Sequence, residues 1–331
     1  MARRKSSRKL EPVPMKINFQ IPANLTHAYI DISECVSKLS RKFFRQGLNW
    51  AVAGGRIILP SASGSAGNAV YLSTLPHTWV VSNAWEKSFR VWDKMNKEYG
   101  LEEMPSIKPK FYDFKIYADP MHVNATSAAN LQPYNLGPGS TVGPFPSPIV
   151  TTNPPLTGEW DYSEIVIPND AAGGAPSAPA EYSLHMCGND IASVSKGMIV
   201  GYANSRAVPT SPDPTTTTPV SSWMNNLFDD GNQVPEIVTN LQQDNDELPY
   251  DQLMYPGGGT NFIELENQVL AYNTNTIGIR EQRFTGFSAP CGLIRVDNLY
   301  SDSESSTPLI IELELMPGTH RGYLAEPMTE M

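Results

Sequence analysis

The chain is short of cysteine and histidine and has no long apolar run, and each shortage excludes a class of protein. Its 331 residues hold three cysteines, Cys35, Cys187 and Cys291, too few and too scattered for a disulfide framework. Buried free thiols are the expectation. The five histidines, His27, His77, His122, His185 and His320, are dispersed and none sits in a catalytic motif. His185-Met-Cys187 has no second pair at zinc-like spacing, so packed strand residues are expected there. No stretch of eighteen apolar residues exists to span a membrane. The basic N-terminus lacks the apolar segment of a secretory leader. There is no Gly-x-Ser-x-Gly elbow and no Gly-x-Gly-x-x-Gly after a strand. Pro256-Gly-Gly-Gly-Thr260 lacks the Lys-Ser/Thr of a phosphate loop, and Pro290-Cys-Gly292 lacks the second Cys and the His-x-Glu of a zinc deaminase. A non-enzymatic protein is expected.

What is present describes a folded β protein. Hydrophobic residues make up 40% and charged residues 18%, which is enough apolar surface for a core. The 29 prolines and 24 glycines suit short strands joined by long loops. Lys16–Ile21 alternates polar and apolar, and Ile311, Leu313 and Leu315 alternate with Glu312 and Glu314, the clearest period-two signal. Further strands are expected at 56–59, 69–72, 112–116, 160–167, 181–186, 197–202, 268–272 and 291–296. Helices are expected near 33–46, stopped by Gly47, and near 83–99, with Asn83 and Glu86 spaced as a capping box. A shorter one is expected at 222–228. Residues 132–158, 168–180 and 209–219 are Pro-, Gly-, Ser- or Thr-rich loops. Together these predict an all-β, single jelly-roll domain over 16–331, two antiparallel sheets with inserted helices, a barrel being the competing architecture.

Charge is divided along the chain. Residues 1–118 hold 18 of the 24 Lys and Arg but 9 of the 34 Asp and Glu, so the net −10 conceals a basic end and an acidic remainder. Arg3, Arg4, Lys5, Arg8 and Lys9 put five positive charges in nine residues without an apolar anchor, which reads as a mobile basic arm over 1–15. Lys38, Arg41, Lys42 and Arg45 fall on one face of the first expected helix, and Lys87, Arg90, Lys94 and Lys97 on one face of the second. Such faces are either solvated surface or phosphate contacts. The arm offers backbone neutralisation without base readout. The carboxylates at Asp244, Asp246, Glu247 and Asp251 could supply oxygens to Ca²⁺, against the plainer reading of a solvated acidic loop.

Several segments carry a resemblance: Trp79–Lys87, Lys110–Tyr117, Gly201–Ala207, Leu248–Asp251 with Tyr255–Gly258, Pro290–Ile294, and Pro317–Tyr323 with Glu326–Met328. In order, over roughly residues 50–331, they resemble the capsid proteins of circular, replication-initiator-encoding single-stranded DNA viruses, the CRESS-DNA group. The resemblance implies a jelly roll assembling into an icosahedral shell of about sixty identical copies, with the arm against packaged single-stranded DNA. Such a shell would hold about 300 arm charges, too few for a genome of a few thousand phosphates. That shortfall brings Lys38, Arg41, Lys42 and Arg45 into the expected nucleic-acid site. Two other readings stand beside it: a carbohydrate-binding jelly roll using Trp50, Trp79, Trp160 and Trp223 as stacking platforms, and a nuclear DNA-binding accessory protein.

Overall fold

The computed structural model describes residues 13–21, 25–59, 68–97, 113–125, 130–135, 147–148, 160–167, 180–205, 223–224, 264–274, 279–299 and 309–331. The first part of the chain forms β1 (Lys16–Ile21), β2 (His27–Asp31), α1 (Ile32–Ser40), β3 (Leu48–Leu59) and β4 (Asn68–Thr74). Then come α2 (Trp79–Asn96), α3 (Pro120–Ala125), β5 (Tyr134–Asn135), β6 (Ser147–Pro148), β7 (Glu164–Ile167), β8 (Ala180–His185), β9 (Ser195–Gly197) and α4 (Met198–Ser205). The last part forms β10 (Glu266–Asn273), β11 (Arg280–Ala289), β12 (Leu293–Asn298), β13 (Leu309–Leu315), β14 (Pro317–Gly318), β15 (Gly322–Tyr323) and β16 (Ala325–Pro327). The protein is mostly β, as its composition predicts.

Eight strands pair from the outside of the chain inward: β1 with β13, β2 with β12, β3 with β11, and β4 with β10, all antiparallel. Ladders between β13 and β3 and between β12 and β4 join these pairs into two sheets. Their orders are β11-β3-β13-β1 and β10-β4-β12-β2, with β5, β6 and β16 extending the first. Alternation explains the layering. Ile17, Phe19 and Ile21 of β1, Ile57 and Leu59 of β3, and Ile311, Leu313 and Leu315 of β13 share one core with Ile30, Leu72, Ile294 and Val296 of the second sheet. The opposite face of the first sheet carries charge. Glu312 accepts Lys16 at 3.3 Å and Arg56 at 3.0 Å, and Arg56 also reaches Glu281 at 3.7 Å.

The second sheet is covered on its far side as well. Tyr29 and Leu293 join Val80, Val81 and Ala84 of α2, Ile165 of β7, Leu184 of β8 and Met198 of α4 in a second core. The cover comes from the segment between β4 and β10, where β7, β8 and β9 form a small sheet of their own. All three cysteines are buried free thiols.

Four local expectations are corrected. First, α1 stops at Ser40 instead of near residue 46, with Arg41 left-handed at its C-terminus (φ 55°). The early stop follows from packing: Ser37 Oγ accepts the Phe44 N–H at 2.8 Å, and Phe44 turns into the core 5.8 Å from Trp50 and 5.7 Å from Tyr323. Second, α2 begins at Trp79 with Thr78 as its N-cap, which leaves Asn83 inside the helix. Val80, Val81 and Ala84 are buried, so the apolar stripe needs that earlier turn. Third, the run after Gly197 is helix α4 and not a strand, because Met-Ile-Val is apolar without alternation and fits either. Gly201 sits against Trp223, where a Cβ would lie 2.3 Å from the indole nitrogen. Fourth, residues 113–116 form no strand. Of the helix expected at 222–228 only Trp223 and Met224 are described, and both are helical. Most of the expected loops, and the acidic segment, lie outside the described residues.

Gly55 marks the tightest point of the first sheet, where a Cβ would lie 2.0 Å from the Glu312 carbonyl oxygen and 2.5 Å from the Phe284 ring. Gly55→Ala is expected to destabilise the fold by about 3 kcal/mol. Urea denaturation checks this; a midpoint equal to wild type would show that β13 and β11 are not held this close to β3.

Candidate nucleic-acid interface

The arm residues Arg3, Arg4, Lys5, Arg8 and Lys9 lie outside the described residues, but the root of the arm is described. Met15 accepts the Leu315 N–H at 2.8 Å, and Pro14 accepts the Tyr323 hydroxyl at 2.8 Å. Val13 packs on Gly322, whose φ of 106° and lack of a side chain leave it room; a Cβ there would come within 2.7 Å of Val13 Cγ2. The preceding residue, Arg321, donates to the Phe43 carbonyl at 2.7 Å and lies over the Phe44 ring at 5.6 Å. Those contacts place the loop 41–45 beside the point where the chain enters β1.

Within that loop Arg41 and Arg45 are exposed, and Lys42 is partly buried. Arg45 is within electrostatic reach of Asp113, whose carboxyl burial lifts to about 6 against the pull of Lys115 and Arg45. Arg321 joins the basic group here, beside His320, whose pKa is lowered by burial and by the adjacent Arg321. Sequence reasoning missed Arg321. Its only signal is the position before a glycine in the C-terminal loop, which says nothing about the partner across the fold.

Lys38 does not join this group. Its side chain is 5% exposed and its ammonium lies 2.5 Å from Glu34, which is itself 8% exposed, with Gln132 as a further partner. A buried carboxylate needs a counter-charge, and Lys38 supplies it. With α1 ending at Ser40, Lys42 and Arg45 are also off the helix, so the expected continuous basic face is replaced by a basic loop. The α2 face is laced with local partners: Arg90 pairs with Glu86, Lys97 with Asp93 at 2.5 Å, and Lys87 donates to Ser205 Oγ at 2.6 Å. It reads as surface.

Next to Glu34 lies a buried polar network that fastens the covering segment to the second sheet. Asp119 accepts the Tyr29 hydroxyl at 2.7 Å and Arg295 at 2.8 Å, and Arg295 continues to Asp297 at 2.9 Å. His122 stacks on Tyr29 with ring centres 3.9 Å apart. Its Nδ1 accepts the Ala118 N–H at 3.2 Å, and its Nε2 lies 2.8 Å from Asn130 Oδ1. Asn130 Nδ2 in turn donates to Tyr162 at 2.8 Å and to Glu34 at 3.2 Å. Asp31 caps α1 through the Glu34 N–H at 3.1 Å and accepts Gln46 and Trp160, each at 3.0 Å. Burial, and then the neighbouring Glu34, push its carboxyl up to about 7. Both ring nitrogens of His122 are engaged, and the network fastens the covering segment to β2 and β12.

Among the described residues no three His, Cys, Asp or Glu side chains are grouped to hold a metal. Asp244, Asp246 and Asp251 lie outside them. His185 and Cys187 are fully buried, with His185 Nε2 3.2 Å from the Asn189 carbonyl. Trp50, Trp160 and Trp223 are buried, which removes three of the four indoles as sugar platforms; Trp79 is 38% exposed. No family model, curated protein or solved structure matches the chain. Among the described residues no helix is long and apolar enough to cross a membrane.

Two outcomes follow from this geometry. Burial lowers the His122 pKa from 6.5 to about 4, so the fold resists a proton that the unfolded chain accepts. The group therefore favours folding above pH 6.5, and that contribution is lost as pH falls towards 4. His122→Gln should flatten the acid side of the stability curve in that window relative to wild type, read by urea midpoints at several pH values; parallel curves would contradict it. Lys38→Met leaves Glu34 buried without its cation and should cost about 3 kcal/mol. A midpoint unchanged from wild type would mean that Lys38 is available to other partners.

Proposed function

We propose that this chain is a viral coat subunit that self-assembles into a small icosahedral shell and packages single-stranded DNA through its basic N-terminal region. The outside-in pairing of eight strands supports reading the fold as a single jelly roll: rolling one long antiparallel ribbon produces two four-stranded sheets in these orders. The wall would be the two sheets. The nucleic-acid face would be the side where the arm departs.

The observation that carries the proposal is the arm's root. Five arm charges, at Arg3, Arg4, Lys5, Arg8 and Lys9, lead into a strand whose start packs beside Arg321 and the loop of Arg41, Lys42 and Arg45. The arm would supply its five charges to the nucleic acid, and the basic loop at its base would hold neighbouring phosphates. Neither needs base recognition, which suits packaging. The proposed partners are a second copy of the chain, repeated to about sixty subunits, and single-stranded DNA. The proposed setting is the virion, with passage through the host nucleus during assembly.

Two variants test it on the full chain. Deleting residues 2–9 should leave assembled particles intact while reducing the nucleic acid that copurifies. Arg41→Gln with Arg45→Gln should lower the slope of log affinity against log salt for single-stranded DNA by about 1.4, at ~0.7 per lost phosphate contact. Unchanged nucleic-acid content and salt slope in both variants would overturn the packaging role.

A further inference from the structure

β11 is the outermost described strand of the first sheet, with β3 on its inner side. Among the described residues no strand pairs on its outer side. An unpaired edge of this length is a template for another strand unless something blocks it. Charged residues are the usual block, and β11 carries three near its start: Arg280, Glu281 and Arg283. Here their arrangement does the opposite.

The strand's two faces have different tasks. Arg280 and Gln282 turn towards β10: Arg280 donates to the Tyr272 carbonyl at 3.0 Å, and Gln282 donates to the Leu270 carbonyl at 2.8 Å. Phe284, on the same face, packs on the core. Glu281, Arg283 and Thr285 occupy the other face, where Glu281 lies 3.7 Å from Arg56 and 3.6 Å from Arg283, and the Arg283 side chain is 85% exposed. Ile279, just before the strand, is 67% exposed.

We propose that β11 pairs antiparallel with β11 of a second copy of this chain, across a two-fold axis normal to the sheet and centred on Gln282. An axis normal to the sheet keeps each face on its own side, so opposed residues must share a face. Centred on Gln282, Glu281 of each copy lies opposite Arg283 of the other, Arg280 opposite Phe284, and Ile279 opposite Thr285. Centred on Arg280 or Arg283, arginine meets arginine; centred on Glu281, glutamate meets glutamate. Opposite charges in facing positions stabilise an antiparallel pair and like charges oppose it. Of the registers centred on residues 280–283, the charges favour the one centred on Gln282 and oppose the other three, which is how an edge strand becomes a specific interface instead of an aggregation site.

This inference rests on the self-assembly proposed above and names the edge that carries it. The test is sedimentation velocity of the full chain over a concentration series. Arg283→Glu alone, or Glu281→Arg alone, should weaken self-association by about tenfold. The exchanged pair, Glu281→Arg with Arg283→Glu, should return it to within about threefold of wild type, with circular-dichroism melting confirming that each variant is folded. Wild-type particles with single variants that assemble equally well would overturn the β11 pairing and leave the coat reading standing. So would a folded exchanged pair that fails to recover. Dimers and no larger species in wild type, lost in the single variants and regained in the exchange, would support the pairing and overturn the shell. A wild-type monomer at every concentration would overturn both.

Discussion

Asp119 holds the Tyr29 hydroxyl with one carboxylate oxygen and Arg295 with the other, and so joins a segment inserted between β4 and β10 to β2 and β12 of the second sheet. Tyr29 and Arg295 stand on the side of their strands that faces away from the main core. Left bare, that face would be an ordinary polar surface. Covered, each of its polar groups requires a partner, because an unpaired buried donor or acceptor costs about 1–3 kcal/mol. The cover meets that requirement with Asp119, His122, Asn130, Tyr162 and Trp160, and the second core beneath it closes around Tyr29, Leu293 and the apolar stripe of α2. The first core rests mainly on strand alternation, with Val36 of α1 and Phe44 packed into it. The second depends on this polar joint.

The division explains how much of the molecule is legible from its residues. β1 and β13 alternate, so their existence, faces and burial can be read directly. β11 cannot, because as an edge strand it carries Arg, Glu and Thr on exposed positions, and its Phe284 and Phe287 are only partly buried against the core. α4 reads as a strand because Met-Ile-Val is buried irrespective of period. The end of α1 depends on Phe44 reaching Trp50 and Tyr323, and Tyr323 lies more than 270 residues along the chain. Local patterns do not carry such contacts.

The candidate site was legible in its charge and illegible in its geometry. The basic arm and the basic character of residues 38–45 are visible in sequence. Lys38 meets Glu34 one turn away on the same helix, a spacing the sequence carries, but the burial of that pair beside Gln132 and the arrival of Arg321 from the other end of the chain depend on contacts across the fold. The joint of Asp119, His122 and Asn130 matches no motif, since its residues come from the cover and meet their partners on β2 and β12 only after folding. A basic face inferred from helical spacing becomes a basic loop once a single aromatic residue ends the helix early.

The proposed division of labour follows from the same layout: sheets as wall, the side of the arm's root towards nucleic acid, and a charge-matched edge towards a second copy. Its central claim is that the chain assembles around nucleic acid. Sedimentation velocity of the purified full-length protein, followed at two wavelengths that separate protein from nucleic acid, tests this most directly. One fast boundary of uniform size that absorbs as both is expected. Protein sedimenting alone as a slow monomer, at every salt and protein concentration, would contradict it.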